Sequence, residues 1–334
     1  MPRPRRMPSF GKIDYLLRPS KQIERKLFIE ALQVLSKAGY HIRDYQYIGF
    51  GSVYYADFIL FHKYLSISEM TCIEKELVPR RMDFNKPYPF INVEIKSARE
   101  FIESSVPFEK PQFVWLDYDA NLNTDMLEDI DGFLTRLPQG SVFVVSVSAN
   151  AGPLAGYVSE PDRTILKGKA LRERIAEAMN VEFGRFLRKP RKTIKEPDVK
   201  EENVPSLFSD LIAERIKQSL TVRSDSLHFH TLFKYVYADN AQMFTLGGIV
   251  DKQYRSERLR RSGVRALDFV VNRADDPPIA ISVPRLTLRE KQWLEQYRVD
   301  PASTEPLAFE MDVDAVKSFV RYYKYYPTYY ETIT

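Results

Sequence analysis

Residues Tyr45–Glu76 read YQYIGFGSVYYADFILFHKYLSISEMTCIEKE. Tyr47 and Ile48 lead as a strand into Gly49-Phe50-Gly51-Ser52, where glycine lets the backbone turn tightly and lets another group approach it closely. A helical stretch follows. Met70–Ile73 is then a short apolar strand that ends at Glu74. The order strand, glycine turn, helix, strand defines a βαβ unit. The same turn serves a ligand or the simple packing of helix on strand, and the residues leave both readings open.

Downstream the pattern repeats. Pro79-Arg80-Arg81-Met82-Asp83-Phe84-Asn85 is a helix or turn ended by the prolines of KPYP. Ile91–Ile95 is a β-branched third strand, followed by a short helix over Ala98–Ser105. Phe113–Leu116 is a fourth strand with Asp117 and Asp119 at its carboxyl end, the edge at which open α/β sheets hold ligands. A helix over Asp125–Leu137 leads to an apolar fifth strand, Ser141–Val147, which runs into Asn150. Residues 151–226 interrupt the alternation with two helices, Leu166–Leu187 and Pro205–Leu220, around a charged, proline-bearing run. Phe229–Ala238 and Met243–Val250, joined by Asp239-Asn240-Ala241-Gln242, form a β-hairpin and give the parallel sheet an antiparallel end.

Upstream, Arg3, Arg5 and Arg6 among prolines form a basic arm. Ile23, Leu27, Ala31, Val34, Leu35 and Ala38 recur at helical spacing, with Ser20 as the expected N-cap and Gly39 as the stop. Arg18, Lys21, Arg25 and Lys26 occupy the polar side of that helix, expected to be solvated or, as the lesser option, to meet an anionic ligand. The carboxyl-terminal part carries RSERLRRSGVR, a strand over Leu267–Val271, a helical stretch over Leu286–Leu294 and a helix over Asp312–Tyr326 that sets Val313, Val316, Phe319, Val320 and Tyr323 on one face. The tail RYYKYYPTYY combines aromatic and basic residues; packing is favoured over a nucleic-acid platform.

Composition narrows the function classes. The chain has 334 residues, 44% hydrophobic and 28% charged, so it is neither disordered nor a membrane protein. Its 49 basic residues stand against 45 acidic ones, so attraction to nucleic acid would have to come from local clusters. The single cysteine, Cys72, falls in an apolar strand, and no apolar signal segment follows the basic start, so a cytoplasmic location is expected. His41, His62, His228 and His230 show no metal-ligand spacing, and no P-loop sequence occurs.

Five βα units closed by an antiparallel hairpin resemble the class I S-adenosylmethionine-dependent methyltransferases over residues 40–252. The resemblance implies an α/β fold: a seven-stranded, mostly parallel Rossmann-like sheet with an antiparallel hairpin, a helical insertion and a small carboxyl-terminal addition. It divides the chain into an arm and helix at 1–40, the methyltransferase-like domain at 41–255 with its insertion at 151–226, and an addition at 256–334. It implies S-adenosylmethionine as cofactor, with Gly49, Phe50, Gly51 and Ser52 beneath its methionine part. Glu74, about twenty residues later, lies on the ribose; Ser97 lies on the adenine side, and Asp117 to Asp119 beside the methyl. Tyr47 stands where the family usually has an acidic residue, and Val53 where it has a third glycine.

The implied reaction is displacement at the sulfonium methyl, which needs alignment and a base for the acceptor proton. Asp119 is the first choice of base and Asp117 the second; the alternative is that both cap the next helix. No Asn-Pro-Pro-Tyr type sequence follows the fourth strand, which favours an oxygen acceptor. No metal is expected; a hard cation on Asp117, Asp119 and Asn150 is the lesser reading. Two other classes stay open, a nucleic-acid-binding protein and a catalytically silent cofactor-binding or scaffold subunit of a larger system, such as a defence system, with a protein partner or a second copy.

Overall fold

Alternation of β-branched and aromatic residues with amphipathic stretches produces strand and helix in turn, and the strands pair into one eight-stranded sheet. The computed structural model describes residues 18–75, 79–104, 107–188, 191–252, 257–299 and 306–327. The basic arm with Arg3, Arg5 and Arg6 lies outside the described residues, as does the end of the tyrosine-rich tail.

Helix α1 (Pro19–Lys37) precedes β1 (Gln46–Phe50), α2 (Ala56–Leu65), β2 (Glu69–Ile73), α3 (Pro79–Phe84), β3 (Ile91–Glu94) and α4 (Ala98–Ser104). There follow β4 (Gln112–Asn121), α5 (Thr124–Leu134), β5 (Val142–Ser148), α6 (Glu160–Ile165), α7 (Gly168–Phe183) and α8 (Val204–Thr221). The antiparallel pair β6 (Leu227–Ala238) and β7 (Gln242–Lys252) precedes α9 (Glu257–Ser262), β8 (Ile279–Ile281), α10 (Leu288–Tyr297) and α11 (Val313–Tyr322).

The strand order is β3-β2-β1-β4-β5-β7-β6-β8, with β3, β2, β1, β4 and β5 parallel and β7 antiparallel between β5 and β6. This is the expected Rossmann-like arrangement with one strand more than the seven expected, because Ile279–Ile281 adds to the edge beside Tyr235–Tyr237. The expected strand at Leu267–Val271 is instead a set of turns, with Val270 N–H donating to Leu267. Phe269, Val270 and Val271 are buried against the sheet, which Val271 reaches through one backbone bond, its N–H donating to the Leu232 carbonyl of β6 at 2.9 Å.

One hydrophobic cluster lies on each face of the sheet. One joins α5, α7 and α8 to β4, β5 and β7; the other joins α1 and α2 to the opposite face together with Phe269, Ile281 and Tyr322 from the carboxyl-terminal part. In α11 the buried residues are Phe319 and Tyr322, whereas Val313, expected on the packed face, is 65% exposed in the first turn. The hydroxyls of Tyr322 and Tyr326 donate to the carbonyls of Ala280 and Pro284 at 2.8 and 3.0 Å, and that of Tyr325 to Glu30. These tyrosines therefore pack within the chain. Among the described residues no helix is long and apolar enough to cross a membrane.

Candidate active site at the carboxyl edge of the sheet

Parallel pairing brings the expected site residues to one edge. Gly49 lies beside Cys72 on β2 and beside Trp115 on β4, so the glycine turn and Glu74 follow at the carboxyl ends of β1 and β2, next to Asp117 where β4 runs on past its pairing with β1. Ser97 follows β3 on the same edge. The structure brings Gly49, Phe50, Gly51, Ser52, Glu74, Asp117 and Asp119 to neighbouring positions, with Ser97 at the flank.

Both glycines have a packing reason. A Cβ at Gly51 would lie 2.0 Å from Cys72 Sγ, and one at Gly49 would lie 2.3 Å from the hydroxyl of Tyr47, so each missing side chain is replaced by a neighbour of the same chain. Phe50 packs edge-on against Tyr118, with ring centroids 4.9 Å apart. The Ser52 carbonyl accepts from Tyr55 N–H at 3.1 Å and turns the chain into α2.

Glu74 is half-buried and its N–H donates to the Glu94 carbonyl at 2.9 Å, which extends the β2–β3 pairing to the edge of the site. The Ser97 hydroxyl is engaged elsewhere. It accepts from Glu100 N–H at 3.2 Å and donates to the Glu100 carboxylate at 2.8 Å, a reciprocal cap at the start of α4. That cap holds the Glu100 carboxyl below the usual carboxylate range, chiefly through the Ser97 N–H.

Strand β4 runs further than Leu116, through both aspartates to Asn121, with its register shifting between Asp117 and Asn121. Asp119 is exposed on this extension and makes no hydrogen bond or ion pair among the described residues. It does not cap the next helix, because Asn123 accepts the Met126 N–H at 2.9 Å there. The Asn150 amide closes β5 onto β7: its oxygen accepts from Gln242 N–H at 3.1 Å and its nitrogen donates to Ser148 at 2.7 Å. Among the described residues no group of three or more His, Cys, Asp or Glu is placed to hold a metal.

The residues that complete the site come from α1, whose charged side was expected to face solvent or an anionic ligand. Lys21 and Glu24 are fully buried and Arg25 is 2% exposed. The Lys21 ammonium lies 2.7 Å from Asp117 Oδ1, 2.8 Å from Glu24 Oε2 and 3.0 Å from the Tyr237 hydroxyl, over the face of Trp115 at 4.2 Å. Its three protons are thus used, as a buried ammonium requires. Trp115 Nε1 donates to Ser146, whose hydroxyl shares a 2.7 Å bond with Thr245; Thr245 is bonded to Glu24 Oε1. Because the indole can only donate and the carboxylate can only accept, every bond in that chain has one direction. Burial, reinforced by Glu24 and Asp117, pushes the Tyr237 hydroxyl well above its ordinary range, so it remains a donor to Glu24.

Helix α1 is anchored here by a residue far away in sequence. The Asp239 carboxylate, in the β6–β7 turn, accepts the N–H groups of Ser20 and Lys21 at 3.0 and 3.2 Å and so replaces the expected Ser20 cap. Arg25 Nε is bonded to Asp57 in the first turn of α2. A signal for their burial lies in the sequence: Lys21, Glu24 and Arg25 continue, at helical spacing, the stripe of Phe28, Leu32 and Leu35.

A separate cavity of about 730 Å³ lies at the opposite, amino edge, where Leu227 and Phe229 of β6 meet Leu211, Ile216 and Leu220 of α8. It is remote from the aspartates.

Residues 13–334 match a protein family described as "Putative O-methyltransferase". The chain belongs to this family. This O-methyltransferase family member also resembles solved structures in which identity is low. The N-methyltransferase NodS from Bradyrhizobium japonicum is 12% identical, with 69% of this chain and 97% of that one covered and a TM-score of 0.35. A probable spermidine synthase from Corynebacterium glutamicum is 11% identical over 78% and 82% of the two chains, and a fibrillarin pre-rRNA processing protein from Methanococcus jannaschii is 10% identical over 64% and 69%, both with a TM-score of 0.35. No curated protein matches the chain.

Proposed function

We propose that this O-methyltransferase family member transfers the methyl group of S-adenosylmethionine to an oxygen of an acceptor bound at the carboxyl edge of β1 and β4. The observation that carries the reading is Asp117: it stands two residues past the β4 partner of Gly49, with Oδ1 held by buried Lys21. The bound cofactor supplies an electrophilic methyl on a sulfonium.

The chain's own residues would do the rest. Two buried polar atoms beside the glycine turn, on Arg25 and Tyr47, have no hydrogen-bond partner among the described residues, and Asp117 is 15% exposed, so the corner offers donors and an acceptor to a zwitterionic ligand. Glu74 is assigned to the ribose hydroxyls, since it ends the strand next to the glycine turn. With the Ser97 hydroxyl committed to Glu100, recognition on the adenine side falls to the backbone around Lys96 and Ser97. Asp119, exposed and uncommitted, is assigned as the base that takes the acceptor proton, and Asp117 as the group that orients the methyl-bearing end. The buried thiol of Cys72 supports a cytoplasmic setting for the protein.

A second reading, a catalytically silent cofactor-binding or scaffold subunit, is favoured by one observation: the space above both glycines is filled by Tyr47 and Cys72. Titration calorimetry with S-adenosylmethionine and S-adenosylhomocysteine, followed by a screen of cell extract with methyl-labelled cofactor, separates the two. Binding with labelled product supports the enzyme; binding without product supports the silent subunit; no binding at millimolar ligand ends both.

A further inference from the structure

Among the described residues, Nη1 of Arg25 and the hydroxyl of Tyr47 are two of the buried side-chain polar atoms that make no hydrogen bond, and they are the two that lie beside the glycine turn. Arg25 is 2% exposed and Tyr47 fully buried, so water does not compensate them at the surface. A buried donor left without a partner is costly, and more so when it carries charge, so such atoms commonly mark the place of a group that arrives later.

Both atoms belong to one corner. The Tyr47 hydroxyl lies over Gly49, within 2.3 Å of where a Cβ would stand, and it is acted on by the charges of Asp57, Asp117 and Arg25. Burial first, and then the two aspartates, push this hydroxyl well above its ordinary range, so it stays protonated. The Arg25 guanidinium is fixed through Nε to Asp57, in the first turn of the ten-residue helix α2 that follows the glycine turn. That helix presents unpaired N–H groups and a positive end to the same corner.

We propose that Arg25 Nη1 and the Tyr47 hydroxyl receive the carboxylate of the amino-acid end of the methyl donor. The assignment rests on the donor being S-adenosylmethionine. Nη1 and the hydroxyl each donate to the carboxylate, and the first of these bonds is charge-assisted. The ammonium of the same amino-acid end then has Asp57 and Asp117 beside it, so the corner's one arginine and two aspartates complement a zwitterion. Tyr47 occupies the strand position two residues before the first glycine and places there a neutral donor, which a carboxylate can accept.

The test is calorimetry on the full chain with two ligands, S-adenosylhomocysteine and 5′-methylthioadenosine, the second of which keeps adenosine and sulfur but lacks the amino-acid end. Wild type should prefer S-adenosylhomocysteine. Arg25→Met should weaken that ligand by about tenfold to hundredfold and leave methylthioadenosine unchanged. Tyr47→Phe should weaken it by about fivefold to tenfold, again selectively, with an unchanged or higher thermal midpoint because no internal bond is lost. If Arg25→Met does not fold, its Asp57 being left unpaired, Tyr47→Phe decides alone. Equal losses for both ligands, or undiminished S-adenosylhomocysteine affinity, would overturn the assignment while leaving the methyl-donor reading intact. If wild type binds neither ligand, the donor reading falls and the assignment with it.

Discussion

Lys21, in the first turn of α1, and Asp117, at the carboxyl edge of β4, form an ion pair of 2.7 Å across 96 positions of sequence. The ammonium has no exposure, and its remaining protons go to Glu24 and Tyr237. A helix that precedes the sheet in the chain is thereby held over the edge where chemistry is proposed.

Removing the cation should leave Glu24 and Asp117 close together and uncompensated. Lys21→Met, which keeps the length of the side chain, is expected to cost about 3–5 kcal/mol, as breaking a buried pair usually does. Urea unfolding measures it. A loss below about 1 kcal/mol would mean that solvent reaches the cluster and that α1 is not held in this way.

Asp119 is exposed and caps no helix, so its replacement tests chemistry with little disturbance of structure. Asp119→Asn is expected to lower the rate of methyl transfer about 10²–10⁴-fold while cofactor affinity and thermal midpoint stay as they are. Unchanged turnover would move the proton-accepting role away from this residue.

The space at Gly51 belongs to Cys72, which gives a test of packing independent of any ligand. Gly51→Ala should destabilise by about 1–3 kcal/mol through overpacking. Cys72→Ala in that background should recover part of the loss, because the Cys72 Cβ would lie at an ordinary 3.6 Å from the new methyl whereas Sγ lies at 2.0 Å. Additive losses in the double-mutant cycle would show that the two positions do not meet.

Alkaline pH should unfold the protein cooperatively. Burial is the leading cause that raises the hydroxyls of Tyr47, Tyr118, Tyr235 and Tyr237 well above their ordinary value of 10.0, and it raises Tyr157 to about 12. A folded-state value above the unfolded one means that stability is intact below about pH 10 and declines as pH rises toward the folded values. Each such tyrosine contributes a slope of at most about 1.4 kcal/mol per pH unit over that window. Urea midpoints between pH 8 and 11, followed with tyrosinate absorbance, should fall steeply above pH 10. A flat profile would show that these hydroxyls ionise without unfolding.

Most of the sheet was legible because its signals are local. Runs such as Phe113–Leu116 and Ser141–Val147 are apolar on both faces, as parallel strands under two helical layers must be, and Gly49 and Gly51 mark the turn between the first strand and its helix. Period and punctuation sufficed for the order of elements, and from that order came the carboxyl edge with Glu74, Asp117 and Asp119. The eighth strand was not legible: three residues, Ile279–Ile281, carry too short a pattern, and they extend only because Tyr235–Tyr237 offers them an edge.

The sequence by itself determined which residues alternate and where the chain turns. Only the tertiary structure decided what the charges on α1 do. Arg18, Lys21, Arg25 and Lys26 read as a mainly solvated face because isolated charges are costly to bury, yet Lys21 and Arg25 are buried together with Glu24. Their burial depends on partners at Asp57, Asp117, Tyr237 and Thr245, which lie dozens to hundreds of positions away and meet α1 only after the sheet has formed. The same holds for Asp239, a turn residue in sequence and the cap of α1 in space. Compensation of a buried charge is a property of the pair, and helical periodicity reports on one helix at a time.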